Sequence, residues 1–349
     1  MDADTVLGFV FIVLGAICGG SFGLPSKFAG KDTAWENLWG PFFLFATIII
    51  PVALGPVVVK DLFSICRTAG VGMVVWPVVF GLLWGFGSMA LGLSFAFIGL
   101  SLAYAINYGG QIAFGSIVPI LIHNREVLAS TKGYTIIAGV VVCLMGIVVS
   151  GRAGVLKAAS LAKGSGGIEE QQGSKKPRIL IGQVTAFASG ILCACYAVAF
   201  SFGGDVMGVS QTQFGAAAWR STFVVTALIL WGGSVSACGY CVYKLTVNGT
   251  WGGFAKRGIA KVLVLALVMA CLHDGAIVFW GLGVPKLGPL GVSVGYASFM
   301  SLCIIMGNVN GFLTGEWKGA SRESVGWIAA GIAVLIGGVC ILAKANTMA

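Results

Sequence analysis

The sequence predicts an all-α membrane protein of ten transmembrane helices arranged as two five-helix halves. Three observations carry this. Ten apolar runs of about twenty residues fill most of the 349-residue chain, and a bilayer core about 30 Å thick takes about 20 helical residues to cross. Only 9% of the chain is charged, 58% is hydrophobic, and mean hydropathy is +0.97, which excludes a soluble globular domain. One polar stretch, 151–178, separates five runs from five.

In chain order the first half holds spans 7–24, 40–59, 73–97, 100–122 and 134–150. Lys27 and Lys31 follow the first span, Lys60 and Arg67 the second, and Arg125 and Lys132 the fourth. The stretch 151–178 is rich in Lys, Gly, Ser and Gln and reads as a basic linker loop. The second half holds spans 179–202, 214–242, 262–283, 290–313 and 325–342. Unbroken apolar runs without alternation are helical, because a helix satisfies its own backbone in lipid. The predicted domains are therefore 1–150, the linker 151–178, and 179–349.

Alternate assignment of the loops gives six Lys or Arg to the N-terminal side and fourteen to the other. The positive-inside bias places the fourteen-charge side in the cytoplasm and both termini outside. The net charge of +9 thus belongs to membrane loops and does not imply a nucleic-acid partner. Glycine, at 54 residues, fits closely packed helices; four-residue spacings such as Gly15/Gly19, Gly81/Gly85 and Gly307/Gly311 read as internal packing. Ten cysteines lie almost all inside spans and behave as small hydrophobes. Cys238-Gly-Tyr-Cys241 has metal-half-site spacing, but with two histidines and no second pair no metal site or cofactor is expected. Asn248-Gly-Thr250 matches a glycosylation sequon by accident, since its loop falls on the cytoplasmic side.

The halves repeat. At an offset of 189 residues Gly92-Leu93 matches Gly281-Leu282, and Gly99-Leu100 matches Gly288-Pro289. With small insertions, Gly139 falls opposite Gly331 and Gly146 opposite Gly338. Five spans is an odd number, so the halves cross the membrane in opposite senses. Inverted repeats of this kind belong to secondary transporters, with the site near the midplane.

The pattern Phe22-x-x-Pro25-x-Lys27, Lys31, Trp35-Glu36-x-x-Trp39 resembles the start of the L-rhamnose–proton symporter family of the drug/metabolite transporter superfamily. Phe80-Gly81-x-x-Trp84-Gly85-x-Gly87, Gly99-x-Ser101, Arg152-Ala153-Gly154-x-x-Lys157 and Glu316-Trp317 extend the resemblance over the whole chain. It implies a drug/metabolite transporter-like 5+5 fold and proton-coupled uptake of a small sugar or related polar metabolite. His273-Asp274, Arg220 and Asn107-Tyr108-x-x-Gln111 depart from the family's usual pattern. The resemblance therefore implies the transporter class rather than rhamnose itself.

Ionisable groups inside spans are costly, about 2.5–3.5 kcal/mol at a helix centre, so each is a functional suspect. His273 and Asp274 sit near the middle of the eighth span. Asp274 is the first candidate for the coupling proton, because burial disfavours its charge and a nearby cation restores it. His273 is the rival carrier, since an imidazole can take up and release a proton. Adjacent helical residues point about 100° apart, so the two cannot face one cavity equally.

At the same offset Trp84 is the mate of His273. An aromatic face opposite polar groups suits a sugar. Tyr104, Asn107, Tyr108 and Gln111 share one face of the fourth span, and Tyr296 is the mate of Asn107. Asn308 and Gln183 are further polar candidates. Arg220, six residues into the seventh span, can snorkel, pair with Asp274 or hold a substrate carboxylate. Lys27 and Glu36 at span ends are candidate gate residues.

The residues thus point to a secondary transporter of a sugar, polyol or sugar acid, with a proton as coupling ion and no cofactor. Its partners are a small molecule and the lipid bilayer, and the sequence leaves the oligomeric state open. Metabolite export by exchange is the alternative, followed by a non-transporting receptor or scaffold. No nucleotide-binding loop or nucleophile–base pair supports an enzyme.

Overall fold

The computed structural model describes residues 3–30, 32–164 and 172–348. Among these the chain is helical, without strands, and ten helices are long and apolar enough to cross a membrane. In order they are Ala3–Phe28, Trp35–Val58, Leu62–Ile98, Leu102–His123, Thr131–Lys157, Leu180–Phe214, Ala218–Val247, Ile259–Leu287, Gly291–Leu313 and Arg322–Asn346. This is a multi-pass membrane protein.

Residues Leu62–His123 are helical throughout, and as one straight rod they would be about 90 Å long. Ser189 rules the rod out. Its hydroxyl donates to the Gly87 carbonyl at 2.9 Å and accepts from Asn107 Nδ2 at 2.6 Å, although 87 and 107 would lie about 30 Å apart along one axis. The Phe95 and Tyr104 rings also meet at 5.0 Å. The chain therefore turns back between Ile98 and Leu102, and the third and fourth spans run antiparallel.

The sixth span packs along the third and fourth, the seventh along the third, the first against the eighth and ninth, and the tenth along the fifth. Small residues make these seams. A side chain on Gly87 would come within 2.6 Å of the Cys193 backbone, and one on Gly20 within 2.6 Å of the Cys303 carbonyl. The glycine stripes are consumed in packing within the chain, as their spacing leads one to expect.

Two expected boundaries shift. The described parts of the linker, 151–164 and 172–178, are helical and extend the fifth and sixth spans; its centre, 165–171, lies outside the described residues, as does Lys31. The sixth span carries an extra short helix, Gly204–Phe214, that stops at Gly215, whose φ of +63° is left-handed. The seventh span consequently starts at Ala218 rather than 214.

Candidate functional site

A cavity of about 630 Å³ lies among the middles of the spans. Helical periodicity selects its lining. Trp84, Ser88 and Leu91 come from one face of the third span, Tyr108 and Gln111 from the fourth, and Cys193 and Tyr196 from the sixth. The eighth span contributes His273, Ala276, Ile277 and Trp280, and the ninth Tyr296, Phe299, Met300 and Cys303.

His273 stands at the centre of an aromatic box. Its ring lies 5.6 Å from Trp84, 5.6 Å from Phe22 and 5.7 Å from Phe42. Trp84 meets Tyr196 at 6.0 Å, and Tyr196 meets Trp280 at 5.8 Å. The polar side is a chain of hydrogen bonds. Tyr296 Oη donates to Gln111 Oε1 at 2.6 Å, Gln111 Nε2 donates to Asn107 Oδ1 at 2.5 Å, and Asn107 passes the chain to Ser189. Four spans, the ninth, fourth, sixth and third, are joined by it. Such a buried network is stable only when every member is satisfied.

Asp274 turns the other way. Its Oδ1 pairs with His273 Nδ1 at 2.9 Å, but the carboxylate borders a separate, apolar recess. Ile50, Pro51 and Leu54 of the second span and Phe223, Thr226 and Leu230 of the seventh form its walls. Asp274 Oδ2 is buried there and finds no hydrogen-bond partner among the described residues. The second span is irregular at this point: a π turn at Phe45–Ile49 precedes Pro51, which has no N–H to donate. The 100° step between neighbours thus puts histidine in the cavity and aspartate behind it.

Several sequence candidates lie elsewhere. Tyr104 packs among Phe22, Phe95 and Tyr108 and is not in the cavity lining. Asn107 is fully buried behind Gln111 and positions it. Asn308 donates to its own helix at the Ile304 carbonyl, 2.9 Å away, while Asn310 bonds Ser21 Oγ at 2.8 Å and ties the ninth span to the first. Gln183 is half-buried, away from the cavity. Arg220 is exposed with its guanidinium over Trp219 at 5.1 Å; because the seventh span begins at Ala218, it sits in the first turn and reaches out of the span.

The span-end residues form two clusters on the side opposite the termini. Lys27 Nζ is paired with Glu316 and lies 3.1 Å from Thr314 Oγ1, while Lys157 reaches Glu316 at 3.4 Å. Glu36 is buried and accepts from Asn248 Nδ2 at 2.9 Å and from Thr250 Oγ1 at 2.7 Å. The sequon residues therefore fasten the seventh–eighth loop to the second span. Lys27 and Glu316 border a vestibule of about 920 Å³ whose floor includes Trp39 and Phe95. Trp39, Phe42, Phe22 and Tyr104 continue inward as touching rings between vestibule and cavity.

No sequence motif marks Ser88, Tyr196 or Trp280 as cavity residues, and Phe22 stands in the sequence only as part of the family-like pattern Phe22-x-x-Pro25-x-Lys27. Periodicity could have found Trp280, seven residues from His273 on one face, and Ser88, four from Trp84.

Residues 1–348 match the family model described as L-rhamnose-proton symport protein (RhaT). The chain belongs to that family. Proteins of Yersinia pestis bv. Antiqua (strain Antiqua) and Yersinia pseudotuberculosis serotype O:3 (strain YPIII), each named L-rhamnose-proton symporter, are 23% identical to it. Each similarity covers 96% of this chain and 96% of the relative. A protein of known crystal structure, 15% identical, superposes with a TM-score of 0.50 over 97% of this chain and 95% of its own. At that identity the likeness is one of fold alone. This member of the symport family is a secondary transporter, not an enzyme.

Proposed function

We propose that this protein takes up a neutral sugar together with protons across the cytoplasmic membrane. Transport proceeds by alternating access of the oppositely threaded halves 1–150 and 179–349, with both termini outside. The observation that carries the reading is the meeting of Trp84 and His273, mates under the repeat, in one cavity at mid-membrane with the Tyr296–Gln111 bond beside them. Further support for the repeat comes from the fifth–tenth seam, where the matched glycines converge crosswise: a side chain on Gly331 would lie 3.1 Å from the Gly146 carbonyl, and one on Gly338 3.2 Å from the Gly139 carbonyl.

Aromatic faces stack on sugar C–H surface, while amide, hydroxyl and imidazole groups bind hydroxyls. An aromatic-rich lining with few polar groups favours a deoxy sugar, in keeping with the names of the relatives. Arg220, far from the cavity, offers no anchor for a sugar-acid carboxylate.

The dyad supplies the proton step. Ionised Asp274 leaves one oxygen unpaired in an apolar recess, which is unfavourable. A proton received through His273 removes that charge and lets the eighth span move over the second and seventh. His273 touches the cavity, so bound sugar and bound proton act on the same helix. On the cytoplasmic side the aromatic layer and the Lys27–Glu316–Lys157 cluster form the gate, with Glu36 fixing the loop beside it.

The test is uptake of labelled L-rhamnose, and of a panel of neutral sugars and polyols, into proteoliposomes under an inward pH gradient. Uphill accumulation of a sugar is the expected result. Exchange without a proton requirement would replace symport by antiport, and binding without flux would overturn transport.

A further inference from the structure

We infer that the cleft beside the loop between the seventh and eighth spans is a binding site for an anionic phospholipid of the adjacent leaflet. Two observations converge on this loop. An apolar groove of about 770 Å³ runs down the flank of the second and seventh spans, lined by Leu44, Cys238, Val242, Trp251 and Phe254. On the other flank of the same loop a polar cleft of about 1270 Å³ is bordered by Lys256, Arg257 and Lys261, with Asp32 as its one acidic residue.

The short turn Thr250–Ala255 joins the two. Trp251 and Phe254 project from it into the groove, and Lys256 and Arg257 follow directly. Trp251 is 49% exposed although its indole N–H is held by Thr246 Oγ1 at 3.2 Å. An amphipathic ring placed this way marks the headgroup level of a membrane. The three cations are exposed, and none forms an ion pair among the described residues. An apolar groove on one flank of this turn and a row of exposed cations on the other are complementary to an acyl chain and to the phosphate that heads it, with the turn between them. A neutral lipid would use the groove and leave the cations unanswered.

The experiment uses the full chain in detergent, with dioleoyl phosphatidylglycerol and dioleoyl phosphatidylcholine as competing probes in native mass spectrometry. At roughly fivefold per cation, three cations give phosphatidylglycerol a preference of roughly a hundredfold. The triple substitution K256Q/R257Q/K261Q should abolish the preference. Val242→Trp, which fills the groove but keeps the charges, should lower retention of the lipid while leaving the melting temperature in phosphatidylcholine unchanged. Undiminished preference in the triple variant overturns the proposal. So does equal retention by the groove-filled variant, or displacement of the lipid by glycerol phosphate at matched concentration, which would mark a site for soluble anions instead.

Discussion

Consecutive residues of the eighth span live in different worlds. His273 looks into a cavity with Trp84, Phe22 and Gln111 around it. Asp274, one residue on, looks into an apolar recess between the second and seventh spans and leaves a carboxylate oxygen without a partner among the described residues. The pair is joined by a single 2.9 Å contact. On the function proposed above, the contrast teaches that sugar recognition and charge control can be divided between two faces of one helix and still be coupled, because any rotation or slide of that helix moves both.

The sharpest way to break the comparison is Asp274→Asn. It should abolish uphill accumulation while preserving counterflow of labelled sugar, since the cavity face is untouched. Unchanged pH-driven uptake would take Asp274 out of the mechanism. Trp84→Leu attacks the other face. It should weaken sugar binding about tenfold, or ~1.4 kcal/mol, with accumulation ratios at saturating sugar retained; isothermal titration and uptake together read both.

Tyr296→Phe removes the donor to Gln111 and leaves a buried acceptor short of a partner, a loss of about 1–2 kcal/mol. A lower melting temperature and an affinity reduced about fivefold are expected, and full affinity would detach the hydrogen-bond chain from the site. Glu316→Gln loosens the cluster with Lys27 and Lys157. Its partners are only part-buried, and such pairs contribute about 0–1 kcal/mol, so exchange rates should change by a few-fold with affinity constant. Arg220→Ala should change neither binding nor coupling, and a tenfold loss of affinity would show that Arg220 visits the cavity in another conformation.

Much of this was legible in the chain. Apolar length fixes the number of spans because lipid offers the backbone no partner. Spacing placed Tyr108 and Gln111 on one face, and the 189-residue offset paired Trp84 with His273, whose rings lie 5.6 Å apart. Less was legible at the ends of spans. Propensity did not foresee that 151–164 continues the fifth helix, nor that Gly215 delays the seventh span and leaves Arg220 in its first turn. The sequon reading also missed that Asn248 and Thr250 are the donors that satisfy buried Glu36.

By itself the sequence determined which segments form lipid-crossing helices, which faces their residues share, and that a histidine and an aspartate lie side by side near the middle of one span. It could not determine the azimuth of that span. Periodicity gives angles between residues on one helix and says nothing about where the helix as a whole is turned. Packing of Gly15 against the Ala276 carbonyl, and of the eighth span against the first, sets that rotation. Only the tertiary structure therefore decided that His273 meets the cavity and Asp274 the dry recess behind it.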